Sequence, residues 1–188
     1  MGISVKTQPA SEPVSLADIK SHVVAFGSDD DDLLTSYIEA ARSSAEVYLN
    51  RALITQTLEL TLDHFPAVIN LPRCPVQSVT SITYTDVDGV SQTFTDFQVD
   101  VSGSAMAKIK PAYGYSWPDI RPEFGSVVVE YVAGYGDADD VPASIVHAIK
   151  LIVGSFYAHR ENELVGVSAA DLPLNAQWLL NPYRLIQI

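Results

Sequence analysis

The chain has one cysteine, two methionines, and only 11 lysines and arginines against 23 aspartates and glutamates. A lone thiol cannot close an internal disulfide, and Cys74 has no neighbouring histidine or second cysteine with which to hold a metal. It reads either as a small buried apolar group or as a reactive thiol, and the burial habits of cysteine favour the first. A formal charge of −12 works against gripping duplex nucleic acid or an anionic membrane, because both need the opposite sign. No run approaches the ~18 apolar residues of a membrane span. Residues 1–13 are polar and lack the apolar centre of a secretory signal. The product is expected to be soluble, made in the cytoplasm, and free of membrane contact.

What the chain does have is periodicity. At 188 residues one domain is the default, with a core that buries about 70% of the unfolded surface. Leu33, Leu34, Tyr37, Ile38, Ala41, Ala45, Tyr48 and Leu49 recur at spacings of three and four, so a helix here carries one apolar stripe, with Glu39, Arg42, Ser43, Glu46 and Asn50 largely outside it. Asp29, Asp30, Asp31 and Asp32 precede that stripe, where unpaired N–H groups and the helix dipole favour negative charge. This is an N-cap and first turn, with a metal site as the competing reading. Before it, Ser15 to Asp18 resembles a capping box, and Leu16, Ile19, Val23 and Phe26 share a face that Gly27 ends.

Near Leu53 the period changes to two, with Leu58, Leu60 and Leu62 alternating with Glu59, Thr61 and Asp63. Val79 to Val101 reads as a hairpin around Asp86-Val87-Asp88-Gly89, Ala107 to Lys110 as a short strand, and Ser126 to Val132 as an apolar strand. Pro142 opens a third helix with Ile145, Val146, Ile149, Ile152, Val153 and Phe156 on one broad face, the expected mate of helix two. A short last helix covers Leu172 to Leu180. The expected fold class is α+β, a helical bundle (helices near 15–26, 31–53, 142–160 and 172–180) with an antiparallel β insertion at about 56–132. The expected organisation is a disordered 1–13, helices in 14–54, the β insertion in 55–135, a helix in 136–161 and a C-terminal arm in 162–188.

Chemistry is sparse, and no cofactor or metal is expected. Gly114-Tyr115-Ser116-Trp117-Pro118 has proline where a nucleophile elbow needs glycine. His22, His64, His147 and His159 lie singly, with no pair one turn apart to grip zinc. Gly134-Tyr135-Gly136 imitates a phosphate-binding turn, but Asp137, Asp139 and Asp140 repel phosphate there. Asp86 to Gly89 lacks the further ligands of a calcium loop. Two surfaces suit protein contact instead. Tyr113, Tyr115 and Trp117 are rings of the kind found at interface anchors, or else they cap their own sheet. The apolar end Leu185-Ile186-Gln187-Ile188 either adds a strand to another subunit or docks on its own domain.

Several segments, in their order and spacing, resemble one family. Leu71-Pro72-Arg73-Cys74-Pro75-Val76-Gln77-Ser78-Val79 is similar to an "LPxxPVxSV" pattern, followed by Tyr84 to Gly89, Tyr131 to Gly136 leading to Val141-Pro142, Tyr157 to Glu161, and Leu179-Leu180-Asn181-Pro182-Tyr183-Arg184. Together they resemble the head-tail connector (adaptor) family of long-tailed phages and the related gene transfer agents. The resemblance implies a structural virion protein without catalysis, in a homo-oligomeric ring of about twelve copies under the portal protein at the virion neck. It also implies stopper or tail proteins as further partners, and DNA that passes through the ring without being specifically bound. It assigns portal contact to the C-terminal segment, here Tyr183, Arg184, Leu185, Ile186 and Ile188. The β segment, about Gln56 to Val132, is longer than in minimal connectors. In such a ring Asp29 to Asp32 are expected to face the lumen, and Tyr113, Tyr115 and Trp117 a subunit or neck interface. Within the same neck the alternative is a stopper or tail-terminator. From another class it is a small hydrolase or nucleotide-binding enzyme, which needs a polar cleft where at least two of His147, His159, Asp137 and Asp140 converge.

Overall fold

A computed structural model describes residues 2–101, 106–159 and 172–185. Among them are four α-helices and eight strands in antiparallel sheets, a mixed α+β protein. The chain forms two compact units: a sheet unit of Met1–Ala10 and Thr55–Tyr135, and a helical unit of Ser11–Ile54 and Gly136–Ile188.

The sheet unit is organised on its central strand. Its strands are β1 (Gly2–Thr7), β2 (Gln56–Leu62), β3 (Ile69–Leu71), β4 (Val76–Thr85), β5 (Ser91–Thr93), β6 (Phe97–Asp100), β7 (Ala107–Pro111) and β8 (Val127–Ala133). A five-stranded sheet has the order β1-β2-β8-β4-β5, and a three-stranded one the order β3-β7-β6. β8 pairs on both sides, Leu60 and Ile82 both meeting Val129. Its β-branched residues suit that place, with Val127, Val129, Tyr131 and Ala133 buried on one face. Tyr131 donates its hydroxyl to the Pro72 carbonyl at 2.8 Å, and burial pushes its phenol well above the usual range.

Two expectations change here. Residues 1–13 are polar enough to read as disordered, yet Gly2–Thr7 pairs antiparallel with β2. All six side chains are exposed, because an edge strand is held by its backbone and needs no buried face. Lys6 ties it down by ion pairs to Glu130 at 2.6 Å and Glu59 at 3.1 Å. The hairpin is shorter than Val79 to Val101: β4 pairs with β5, Thr83 opposite Thr93, and β6 then crosses to the other sheet to pair with β7. Phe94, between β5 and β6 in the chain, is buried, and its amide donates to the Ile82 carbonyl at 2.8 Å. The turn closes on Asp86, whose Oδ1 accepts the Asp88 and Val90 amides at 3.0 and 2.9 Å. A carboxylate bonded to its own turn has little left for calcium.

The helical unit contains α1 (Leu16–Val23), α2 (Asp31–Leu49), α3 (Ala143–Ala158) and α4 (Leu174–Leu180). Ser15 caps α1, its hydroxyl accepting from the Asp18 amide at 3.1 Å. Val24 in left-handed conformation ends it, so Phe26 lies past the helix and is 89% exposed instead of lining its face. Leu34, Ile38, Ala41, Ala45 and Leu49 of α2 are buried, as are Ile145, Ile149, Ile152 and Val153 of α3. The two helices pack together, with Tyr37 against Phe156 at 5.8 Å. Each buried Leu, Ile or Val among them contributes about 1.5–3 kcal/mol over exposure, so this seam holds the unit.

Glu46 departs from its expected place outside the stripe: it is buried. Its Oε1 accepts the Leu53 amide at 2.8 Å, and its Oε2 accepts from Arg42 Nη1 at 3.0 Å, while Arg42 Nε donates to Glu12 at 2.7 Å. Asn50 ends α2 in left-handed conformation, and the buried carboxylate satisfies the chain as it leaves the helix.

Candidate functional site

Asp29 to Asp32 divide by task. Asp30 holds the N-cap position of α2 but makes no side-chain cap; its Oδ2 accepts the Tyr157 hydroxyl at 2.6 Å. Asp31 pairs with Lys20 at 2.5 Å. Asp29 and Asp32 remain exposed. Two of the four carboxylates therefore hold the start of α2 to α3 and α1, and two face solvent. Among the described residues no group of three or more His, Cys, Asp or Glu is placed to hold a metal.

The aromatic loop also splits. Trp117 stacks on Phe65 with centroids 4.5 Å apart and planes 5° from parallel, and lies 5.1 Å from Phe94. It caps its own sheet unit, although its indole N–H finds no acceptor among the described residues. Tyr113 and Tyr115 are 100% and 59% exposed. The sequence string shows three rings together; only the fold separates the packed one from the bare pair.

The end of the chain is held. After the 3-10 turn Asn181–Tyr183, Arg51 Nε donates to the Tyr183 carbonyl at 2.5 Å, and the Leu185 amide donates to the Leu49 carbonyl at 2.9 Å. Tyr48 donates its hydroxyl to Asn181 at 2.6 Å, and the Arg184 guanidinium sits 4.7 Å from the centre of the Tyr48 ring. Tyr183, Arg184 and Leu185 thus dock on the end of α2. Ile186 and Ile188 lie outside the described residues, as do Arg160 and Glu161.

A cleft of about 540 Å³ is lined by Glu12, Ser15, Asp18, Asp139, His147 and Lys150, among others. An enzyme reading needs at least two of His147, His159, Asp137 and Asp140 together, and of these only His147 lines the cleft. Asp140 instead accepts the Asp137 amide at 3.0 Å, filling with its own carboxylate the place a phosphate needs after Gly136. His22 and His147, expected singly, meet edge-on with ring centroids 6.4 Å apart; no spacing on one helix announces a pair shared by two. The short helix expected at Leu172 to Leu180 is present as α4, but its outer face was passed over: Leu174 and Trp178 are 78% and 81% exposed. Their four-residue spacing, opposite Ala176 and Leu180, was the available signal. Cys74 is buried, its sulfur accepting the Ala107 amide at 3.2 Å.

Bare rings, a held terminal segment and carboxylates turned to structural use define a structural protein that works by contact. The family described as phage gp6-like head-tail connector protein matches residues 13–112, and the chain belongs to that family. It is a family of structural connectors, not enzymes. A search of curated proteins finds no match. Among solved structures, a chain in the neck of an empty GTA particle computed with C6 symmetry is similar with a TM-score of 0.82 at 24% identity, covering 100% of this chain and 97% of that one. Chains in the virion of a native gene transfer agent particle and in the neck of a native GTA particle computed with C12 symmetry give 0.80 and 0.78 at the same identity and coverage. At that identity the likeness speaks for the fold.

Proposed function

We propose that this protein is the adaptor of a virion neck: a ring of about twelve copies under the portal that joins the DNA-filled head to stopper and tail proteins. The observation that carries the reading is the end-to-end likeness to chains of a neck computed with C12 symmetry, 100% of this chain against 97% of that one, in a chain of the connector family. In this reading the helices form a bundle that carries the sheets as an insertion between α2 and α3. DNA passes through a lumen bordered by carboxylates such as Asp29 and Asp32; a surface of net charge −12 repels it and lets it slide. The hold of Tyr183 to Leu185 on α2 fixes where the C-terminal arm leaves toward the portal. Four helices and this held arm favour the adaptor over a mainly β tail-terminator.

The test is head-to-tail joining in particles assembled with and without the protein. Without it, DNA-filled heads should accumulate unattached to tails. A chain ending at Leu185 should keep the wild-type melting midpoint and fail to join heads. Normal tailed particles in its complete absence would sink the reading, and normal joining by the shortened chain would sink the arm's part in it.

A further inference from the structure

Helix α4 is apolar on two opposite sides. Ala176 and Leu180, four residues apart, are fully buried where α4 packs on α3 and α2. Leu174 and Trp178, also four apart but on the reverse side, are left bare. A helix packed on one side needs one stripe; a second stripe on the opposite side calls for a partner there.

Charge indicates which neighbour. Residues 172–185 contain no acidic side chain and one cation, Arg184, in a helical unit with 14 acidic against six basic residues. Two copies brought together through most of that unit's surface repel each other. Through α4, an acid-free apolar side meets an acidic copy without that cost. A closed ring is made of head-to-tail contacts, so each copy must offer two unlike patches. The helical unit has a second one just past α1, where Val24 and Phe26 are 67% and 89% exposed and are followed in sequence by Asp29 and Asp32. Val47, 66% exposed on α2, stands alone and needs no partner.

We propose that the outer stripe of α4 is the subunit joint: Leu174 and Trp178 of one copy lie against Val24 and Phe26 of the next. The joint rests on the ring reading and says which face closes it. Trp178 is its anchor, a large ring desolvated at little cost in side-chain entropy. Each contact is small, and closure stabilises the ring by holding every copy on two sides.

Particles assembled with a chain carrying Phe26→Cys and Trp178→Cys test it; Cys74, 2% exposed, stays out of the oxidation. The expected result is a ladder of covalent multimers on a denaturing gel, with each single variant remaining monomeric. Dimers from Trp178→Cys alone would mean a two-fold contact, and an internally bridged monomer would mean that the two stripes meet within one chain; either overturns the joint. A ring visible in the neck without a ladder overturns the joint and leaves the ring standing. Protein present in necks without any ring overturns the ring reading and the joint with it. Independently, Trp178→Asp should lower neck occupancy by roughly tenfold or more at an unchanged monomer melting midpoint. A lowered midpoint would show the stripe covered within its own chain, and the joint would fall.

Discussion

The chain has two tryptophans, one in each unit, and they live differently. Trp117 of the sheet unit is packed face to face on Phe65 with Phe94 tilted against it, whereas Trp178 of the helical unit is 81% exposed on a seven-residue helix. The rings beside Trp117 in the sequence, Tyr113 and Tyr115, draw the eye but stay exposed; the rings that pack it, Phe65 and Phe94, come from far along the chain. Trp178 has no aromatic neighbour within four residues. Its place on the far side of a short helix, opposite the buried Ala176 and Leu180, is what leaves it bare. The units also treat charge differently. The helical unit buries a carboxylate–guanidinium network, while the Lys6 pairs of the sheet unit remain at its surface.

The largest expected effect breaks the buried network. Glu46→Ala leaves the Leu53 amide without its acceptor and Arg42 without one of its two carboxylates, and should cost about 3–5 kcal/mol in denaturant unfolding. A loss under about 1 kcal/mol would mean that water replaces the carboxylate and that the helical unit gains nothing from burying it. Next comes the packed ring. Trp117→Ala should cost about 2–3 kcal/mol, less than a fully buried tryptophan, whereas Trp117→Phe should cost under about 1 kcal/mol, because the indole N–H it removes has no acceptor. Equal losses would show that the N–H is bonded after all and that stacking is not what holds the ring.

The smallest effect is in pH. Burial holds the Glu12 carboxyl above its ordinary 4.5, opposed by the hydrogen bond from Arg42. A carboxyl with a raised folded pKa favours the folded state when protonated. Its contribution is fullest below 4.5 and is lost as pH rises through the folded value. The stability of wild type minus that of Glu12→Gln should therefore rise as pH falls from 7 toward the carboxylate range. A flat or falling difference would show that the ion pair outweighs burial.

Much of the fold was legible because it obeys short-range rules. The α1 cap, the stripe of α2, the alternation of Leu58, Leu60 and Leu62, and the apolar run of β8 each repeat with the period of their element. What escaped depends on partners far along the chain. Gly2–Thr7 has no buried face to betray it and exists as a strand only because β2 offers an edge. Glu46 looked like a surface residue on the helical wheel until Arg42 and the amide of Leu53 gave it reasons to be inside. Of the candidate contact residues, Tyr113, Tyr115, Asp29 and Asp32 are exposed, as the proposed contacts need. Trp117, Asp30 and Asp31 have been taken up by packing and by Tyr157 and Lys20.

The hold on the last described residues has a mechanical side. A tug on the chain beyond Leu185 must first break the backbone bond at Leu49 and the guanidinium grip of Arg51 on the Tyr183 carbonyl. Both lie where the longest described helix ends, so the load enters the stiffest element of its unit before it can peel the short terminal helix away. Whatever grips that end pulls on a strut, not on a thread.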